Sequence, residues 1–309
     1  MALYLTNDDV RHLLSTAECV GVLEDLFQQE ARGLVENVPR QRRRFGNASA
    51  NLMGGTALGS KAYVVRHSSV NLVYSTDTGQ LEGVIQPSTL AWIRTGAASG
   101  VATKYMAKPD ASIVGIIGSG HQAITQLEGV CSVRPIKQVR VFSRTPEHRE
   151  RFAREMEDHL GVDVVPAATT AECVGGSDVV ITITNSREPV LAGELLEPGM
   201  HVNAAGGNSW IRREVDEEAV RRADLVVVDN LEQAKMECGD LLWPAERGTF
   251  RWQQAVELHE VIGGKVKGRP GDDSITLFES QGIGIEDTAA SAYVLRKAKE
   301  QGLGQELPF

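Results

Sequence analysis

The spacing of apolar positions divides the chain into an opening helical stretch, a strand-rich stretch and a long run in which strands and helices alternate. Asn7-Asp8-Asp9 precedes Val10, Leu13 and Leu14, a polar start followed by apolar residues at helical spacing. Ser15-Thr16-Ala17-Glu18 reads as a capping box, in which a hydroxyl accepts a backbone N–H and the carboxylate three residues on reaches back to the cap. Behind it Val20, Leu23 and Phe27 share one face, and this helix is predicted to end near Gly33. Between Pro39 and Ser75 the pattern changes. Short apolar runs (Ala62–Val65, Val70–Tyr74) separated by Gly and Asn, with turn chemistry at Asp77-Thr78-Gly79, predict a small antiparallel sheet joined by hairpins. Ile93–Ala107, rich in small residues, returns to helix. From Ser112 onward the apolar strands Ile113–Ile117, Val139–Phe142, Val162–Val165, Val179–Ile183, His201–Ala204 and Leu225–Val228 alternate with helical stretches such as Glu147–Leu160. Near-continuous apolar strands between helices predict a parallel sheet covered on both faces. A late strand, Ile275–Phe278, and a closing helix, Thr288–Glu300, behind a cap signal at Asp287 and ending at Gly302, complete the pattern.

Composition and charge narrow the function classes. The chain has 309 residues, enough for about two domains. A net charge of -9, from 32 basic and 41 acidic side chains, argues against nonspecific nucleic-acid binding, which needs a basic face. Cys19, Cys131, Cys173 and Cys238 are far apart and show no metal-ligand spacing, so they read as free thiols in a reducing compartment. No metal-ligand cluster is visible. The opening MALYLTNDDV is not a signal peptide, and no apolar run nears the roughly 20 residues of a membrane span. The expectation is a soluble, cytoplasmic enzyme that binds neither nucleic acid nor membrane.

The most specific chemistry lies at Gly118-Ser119-Gly120-His121-Gln122-Ala123, directly after the strand Ile113–Ile117 and opening a helix. In such a turn Gly118 permits the sharp bend, Gly120 lets backbone approach a pyrophosphate, and Ala123 lets helix and strand pack closely, with the helix N-terminus facing the anion. The strand–turn–helix context, repeated downstream, makes this a dinucleotide-binding motif of a Rossmann domain. At the end of the second strand, where a carboxylate would hold the ribose 2′-hydroxyl of NAD, the chain has Ser143-Arg144-Thr145. Two hydroxyls and a guanidinium suit a 2′-phosphate, which favours NADP over NAD.

Arg94-Thr95-Gly96-Ala97-Ala98-Ser99-Gly100, running into Gly115–Ala123, resembles the ornithine cyclodeaminase/mu-crystallin family. The resemblance covers nearly the whole chain, to Phe278-Glu279-Ser280-Gln281-Gly282 and the Asp287 helix. It implies an α/β fold, with a Rossmann dinucleotide-binding domain (113–284) inserted into an α+β substrate and dimerisation domain (1–112, completed by 285–309). It also implies a homodimer and a small imino- or keto-acid substrate. By that resemblance Arg94 and Thr95 touch the cofactor phosphates, and Thr184 and Ser280 are cofactor-site positions. Lys61 in Leu58-Gly59-Ser60-Lys61 stands beside the substrate, and Arg40 or Arg42 anchors the substrate carboxylate.

Asn208, in the loop Asn203-Ala204-Ala205-Gly206-Gly207-Asn208, departs from the aspartate of several family members. An amide can orient by hydrogen bonds but cannot act as a general base at neutral pH. Cyclodeamination of ornithine and alanine dehydrogenation are thereby disfavoured. Reduction of a preformed imine asks less: a hydride, a carboxylate anchor, and a proton for the nitrogen, with Lys61 either the donor, a holder of the substrate carboxylate or the group that orients a water. The expectation is an NAD(P)H-dependent reductase of a small 2-imino acid, such as the cyclic ketimine Δ1-pyrroline-2-carboxylate, giving an L-amino acid. An ornithine cyclodeaminase-like lyase, an alanine dehydrogenase-like enzyme and a mu-crystallin-like ligand-binding protein are the alternatives. His67, His121 and Asp229 read as lesser candidates, Glu286-Asp287 as an N-cap, and Trp92, Trp210, Trp243 and Trp252 as packing residues.

Overall fold

The structure, a computed structural model, describes residues 2–308. In chain order the first elements are β1 (Ala2–Leu5), α1 (Asn7–Leu13), α2 (Thr16–Ala31), β2 (Val35–Phe45), β3 (Ala48–Ala57), β4 (Ala62–His67), β5 (Val70–Ser75), β6 (Leu81–Ile85) and α3 (Pro87–Met106). Then come β7 (Ile113–Ile117), α4 (His121–Cys131), β8 (Gln138–Phe142), α5 (Pro146–Leu160), β9 (Asp163–Pro166), α6 (Thr170–Val174), β10 (Val179–Thr182), β11 (His201–Ala204), α7 (Glu217–Arg222) and β12 (Leu225–Val228). The last are α8 (Leu231–Glu237), α9 (Gly239–Glu246), β13 (Ala255–Glu257), α10 (Leu258–Ile262), β14 (Thr276–Glu279), α11 (Gly284–Gln301) and β15 (Gln305–Leu307).

Two compact units emerge, one reaching Arg94 and resuming at Ile283, the other running Thr95–Gly282. The first carries a seven-stranded sheet ordered β15-β1-β6-β5-β4-β3-β2. It is antiparallel except where β1 runs parallel to β6. The Ser15 capping box forms as the sequence predicts, with Glu18 N donating to Ser15 Oγ at 3.2 Å and Ser15 N to Glu18 Oε2 at 3.0 Å. Gly33 takes a φ of 72° just past α2, and Gly79 a φ of 71° in the β5–β6 hairpin, conformations that favour glycine. Helix α11 packs on the sheet closely: a Cβ on Gly284 would fall 2.1 Å from the Gly54 carbonyl oxygen of β3. Its first turn is capped from β2, where Asn37 Oδ1 accepts the N–H groups of Gly284 (3.1 Å) and Ile285 (3.3 Å).

The closing helix therefore starts at Gly284, four residues before the predicted Thr288. Glu286 and Asp287 lie inside it and are fully buried, so their expected N-cap role is corrected. The residue before the helix, Ile283, has no side-chain cap bond, because Asn37 supplies the cap from another strand. Helix α3 likewise begins earlier than Ile93, at Pro87, a residue pre-set for a first helical turn.

The second unit is an eight-stranded sheet ordered β13-β12-β14-β11-β10-β7-β8-β9, with every neighbouring pair parallel. Successive side chains feed two separate cores: Val180, Val202, Val226 and Leu277 on one face, Val179, Ile181, Val114, Ile116, Val139 and Val141 on the other. That is why these strands read as unbroken apolar runs. The unit begins at Thr95, whereas the sequence places the start of the inserted domain at 113. The difference has a packing cause. A Cβ on Gly96 would fall 2.1 Å from Thr125 O of α4, and one on Gly129 of α4 would fall 2.2 Å from Gly96 O, so this end of α3 lies against α4 backbone to backbone.

Among the described residues no helix is long and apolar enough to cross a membrane. All four cysteines are free, and three of them are buried. Trp210 and Trp243 are exposed at 60% and 41%, so neither is the packing residue that the sequence suggests. Trp243 instead lies under the guanidinium groups of Arg213 and Arg247.

Candidate functional site

In the parallel unit, the order of the central strands reverses between β7 and β10, the point at which α/β sheets open a crevice beyond their carboxyl ends. The turn after β7 is shaped for that place. Gly118 has a φ of 124°, and a Cβ there would fall 2.3 Å from Ile183 O, so glycine is required twice over. A Cβ on Gly120 would meet nothing within 4 Å, which leaves the backbone open on that side. Gly120 begins α4 without a side-chain cap bond, and Ala123 is fully buried where the helix meets the sheet. Exposed glycine backbone at an uncapped helix N-terminus is chemistry for an anion.

The other expected cofactor residues come from neighbouring strand ends. Ser119 and Gln122 are half-buried and His121 is exposed in the turn itself. Ser143, Arg144 and Thr145 follow β8. Thr145 precedes α5 but its hydroxyl does not cap it, and Arg144 and Thr145 are exposed. Thr184 follows β10, Asn208 stands half-buried in the loop after β11, and Ser280 follows β14. Ser280 Oγ is buried without a hydrogen-bond partner among the described residues. The glycine cradle, the uncapped helix and this orphaned hydroxyl fit a dinucleotide.

No motif or spacing in the sequence marks the residue that ties these loops together. Glu214, fully buried, accepts Thr184 N (2.5 Å) and Thr182 Oγ1 (3.0 Å) from the β10 end and Gly206 N (2.6 Å) from the β11 end. Its own backbone N–H and that of Val215 are held by Asp240 Oδ1, at 2.7 and 3.1 Å. Burial raises the Glu214 pKa against those donors. The donors on the carboxyl, from Thr182, Thr184 and Gly206, favour the ionised form, so donor geometry and burial pull in opposite directions. Burial and the neighbouring Glu214 push Asp240 up to about 8. Asp229 ends β12 as the sequence suggests, accepting the N–H groups of Asn230, Gln281 and Gly282 (2.6–2.8 Å), and burial pushes it up to about 7.

The antiparallel unit holds a second concentration of charge. Arg94, on α3, is buried and donates to Glu286 Oε2 at 2.9 Å. Its Nη2 lies 3.7 Å from Asp287 Oδ2, while Asp287 Oδ1 accepts from Arg66 of β4 at 2.8 Å. The structure thus brings Arg94 together with three residues, Arg66, Glu286 and Asp287, to which the sequence assigns no site role. The i,i+1 acidic pair was legible as charge. Its burial was not, because that depends on the early start of α11. Lys61 is elsewhere, in the turn before β4, with a φ of 53° and its exposed ammonium 2.9 Å from Asp77 Oδ2. That carboxylate holds the Lys61 pKa above its usual value. Arg40 and Arg42 lie on β2, half-buried and exposed respectively. Among the described residues no group of His, Cys, Asp and Glu is arranged to hold a metal.

Strand order, glycine turn and strand-end residues define a Rossmann-type dinucleotide-binding protein with a second, mixed α/β unit. More narrowly, the chain belongs to the ornithine cyclodeaminase/mu-crystallin family, whose model matches residues 2–302. It is 36% identical over 233 residues to a Δ1-pyrroline-2-carboxylate reductase of Bacillus cereus, covering 75% of this chain and 71% of that one. It is 31% identical to the alanine dehydrogenase of Archaeoglobus fulgidus over 99% of this chain and 98% of the relative. The structure of Thermococcus litoralis Δ1-pyrroline-2-carboxylate reductase with NADH and L-proline superposes with a TM-score of 0.94, at 33% identity, covering 99% of this chain and 100% of that one.

Proposed function

We propose that the chain is an NAD(P)H-dependent reductase of a small cyclic 2-imino acid, Δ1-pyrroline-2-carboxylate being the substrate of choice, which it converts to the L-amino acid. The observation that carries the reading is the glycine cradle at Gly118–Gly120 in a chain 33% identical, over 99% of its length, to a reductase of that substrate. A bound nicotinamide dinucleotide supplies the hydride. The chain's residues bind, orient and move the proton. Gly118, Ser119, Gly120, His121, Gln122 and Ala123 hold the pyrophosphate at the α4 N-terminus. Thr184 and Ser280 line the rest of the cofactor, and Arg94, held by Glu286, and Thr95 are the α3 positions assigned to its phosphates. Ser143, Arg144 and Thr145 accept a 2′-phosphate, which favours NADP. Lys61, kept protonated by Asp77, is the proton donor to the imine nitrogen, and the Asn208 amide orients substrate without removing a proton.

Absorbance-monitored oxidation of NADPH and NADH tests this, with Δ1-pyrroline-2-carboxylate, its six-membered analogue and pyruvate with ammonia. Turnover on a cyclic imine is expected. Ammonia release from ornithine without net cofactor oxidation, and no imine turnover, would overturn the reading in favour of a redox-neutral lyase.

A homodimer is proposed as well. Val38, Leu52 and Tyr63, on the consecutive strands β2, β3 and β4, are exposed large apolar residues, and β2 is a sheet edge. Sedimentation of the isolated protein measures the assembly directly.

A further inference from the structure

We infer that Arg149 is a positioning residue for cofactor choice: it fixes the loop between β8 and α5 in the form that receives a 2′-phosphate. This rests on the proposed binding of a nicotinamide dinucleotide with NADP favoured. Arg149 stands in the first turn of α5, four residues past Thr145, the residue that precedes the helix. A long side chain there would ordinarily reach into water or pair with a carboxylate one turn away, as Arg151 does with Glu155. The residues three and four away from Arg149 are Thr145, Pro146, Phe152 and Ala153, so that carboxylate is missing. The guanidinium instead folds back over the Phe142 ring, 5.8 Å from its centroid, and Nη1 donates to Ser143 O at 3.0 Å. Arg149 is half-buried there.

The bond to Ser143 sets what the loop offers. The Ser143 carbonyl and the Arg144 N–H belong to one planar trans peptide and point in opposite directions. Holding the carbonyl against Arg149 therefore turns the Arg144 N–H to the other side, where it has no partner among the described residues. The Arg144 side chain is exposed, and the Thr145 hydroxyl does not cap the helix. A backbone N–H, a guanidinium and a hydroxyl on consecutive residues are a donor set for a phosphate. The loop is also tied to the glycine turn: Phe142, whose ring lies beneath Arg149, accepts the Gly118 N–H at 2.8 Å. Without Arg149 the Ser143–Arg144 peptide is free to turn over, and the ligand must order it at an entropic cost. That cost falls on a ligand with a 2′-phosphate and not on one without.

Calorimetry of adenosine 2′,5′-bisphosphate and of 5′-AMP reads this subsite without turnover, because the two probes differ only in the 2′-phosphate. Fluorescence titration of NADPH and NADH repeats the comparison with complete cofactors. The proteins are the wild type, Arg149→Met, Arg149→Lys, Arg144→Ala and the double variant Arg144→Ala/Arg149→Met. Methionine keeps packing over Phe142 but removes the donor. Arg149→Met should weaken adenosine 2′,5′-bisphosphate and NADPH about five- to tenfold, with 5′-AMP and NADH within about twofold of wild type. Arg149→Lys keeps a donor for Ser143 O and should recover most of the loss. Because Arg149 acts through the placement of its neighbours, Arg149→Met should cost less in the Arg144→Ala background than in the wild type. Equal weakening of both probes would mean a purely structural role and overturn the inference, as would wild-type selectivity in Arg149→Met or full additivity in the double variant. If the wild type itself binds adenosine 2′,5′-bisphosphate no tighter than 5′-AMP, the favouring of NADP fails and the inference with it. Neither probe involves the imine, so the result stands whether or not Δ1-pyrroline-2-carboxylate is the substrate.

Discussion

At the residue scale, the proposed cofactor choice turns on Arg144 and the order of the loops on Glu214. Arg144 is exposed at the end of β8, where a 2′-phosphate would be met. Replacing it with Ala should raise the KM for NADPH about tenfold or more, the worth of a charge-assisted hydrogen bond, and leave that for NADH nearly unchanged. Equal changes for both cofactors would remove Arg144 from the 2′-phosphate role. Glu214 bears on order rather than choice. Both of its oxygens accept, from Thr182, Thr184 and Gly206. Glu214→Gln presents an NH2 group to one set of donors, so about 1–3 kcal/mol of stability should be lost in urea unfolding. Because the released segments carry Thr184 and Asn208, kcat/KM should fall as well.

At the element scale, two glycine contacts hold the architecture. Gly118→Ala combines a φ of 124° with a 2.3 Å clash against a carbonyl, so it should destabilise by about 2 kcal/mol or more and weaken NADPH binding in a fluorescence titration. Unchanged cofactor affinity in a folded variant would mean that this turn does not hold the pyrophosphate. Gly284→Ala would drive a methyl into Gly54 O at 2.1 Å and lift the first turn of α11, with loss of folding the expected result. Elements like these also show what was legible in the sequence. The parallel strands, the Ser15 cap and the glycine turn are local patterns of period, hydroxyl and backbone conformation, and each was readable from its own neighbourhood. The start of α11 was not, because its cap is Asn37, far away in sequence on β2. Arg66 escaped notice for the same reason: an arginine in a strand is unremarkable until Asp287 is known to face it. Lys61 illustrates the reverse, a motif lysine whose observed partner, Asp77, lies in a hairpin turn that the sequence had marked for its shape alone.

At the scale of the whole molecule, buried carboxyls set a pH dependence whose sign can be worked out. Asp229 and Asp240 are raised from 3.8 to about 7 and about 8, in both cases mainly by burial. In the unfolded chain both lose their protons near pH 4, so between that pH and about 7–8 the folded protein binds more protons than the unfolded one. Stability then falls as pH rises, by up to about 1.4 kcal/mol per pH unit for each such proton. Glu18 acts oppositely but in a separate window. Its carboxyl is lowered from 4.5 to about 2, mainly by the Ser15 backbone N–H, so its stabilising effect is complete above 4.5 and is lost as pH falls from there to about 2. Thermal unfolding should therefore show the highest midpoint near pH 4–5 and a decline toward pH 8, rather than the broad neutral plateau of a protein whose carboxylates are all paired. Asp240→Asn separates this cause from general charge repulsion. The amide oxygen still accepts the N–H groups of Glu214 and Val215, and no proton remains to be lost, so the decline between about pH 4 and 8 should flatten. If the variant keeps the wild-type slope, Asp240 is ionised in the native state and its two backbone donors outweigh burial. Because Glu214 hangs from the same carboxyl and joins the Thr184 and Gly206 segments, the pH that ionises Asp240 should also loosen them. NADPH affinity is then expected to weaken over the same pH range in the wild type and not in Asp240→Asn.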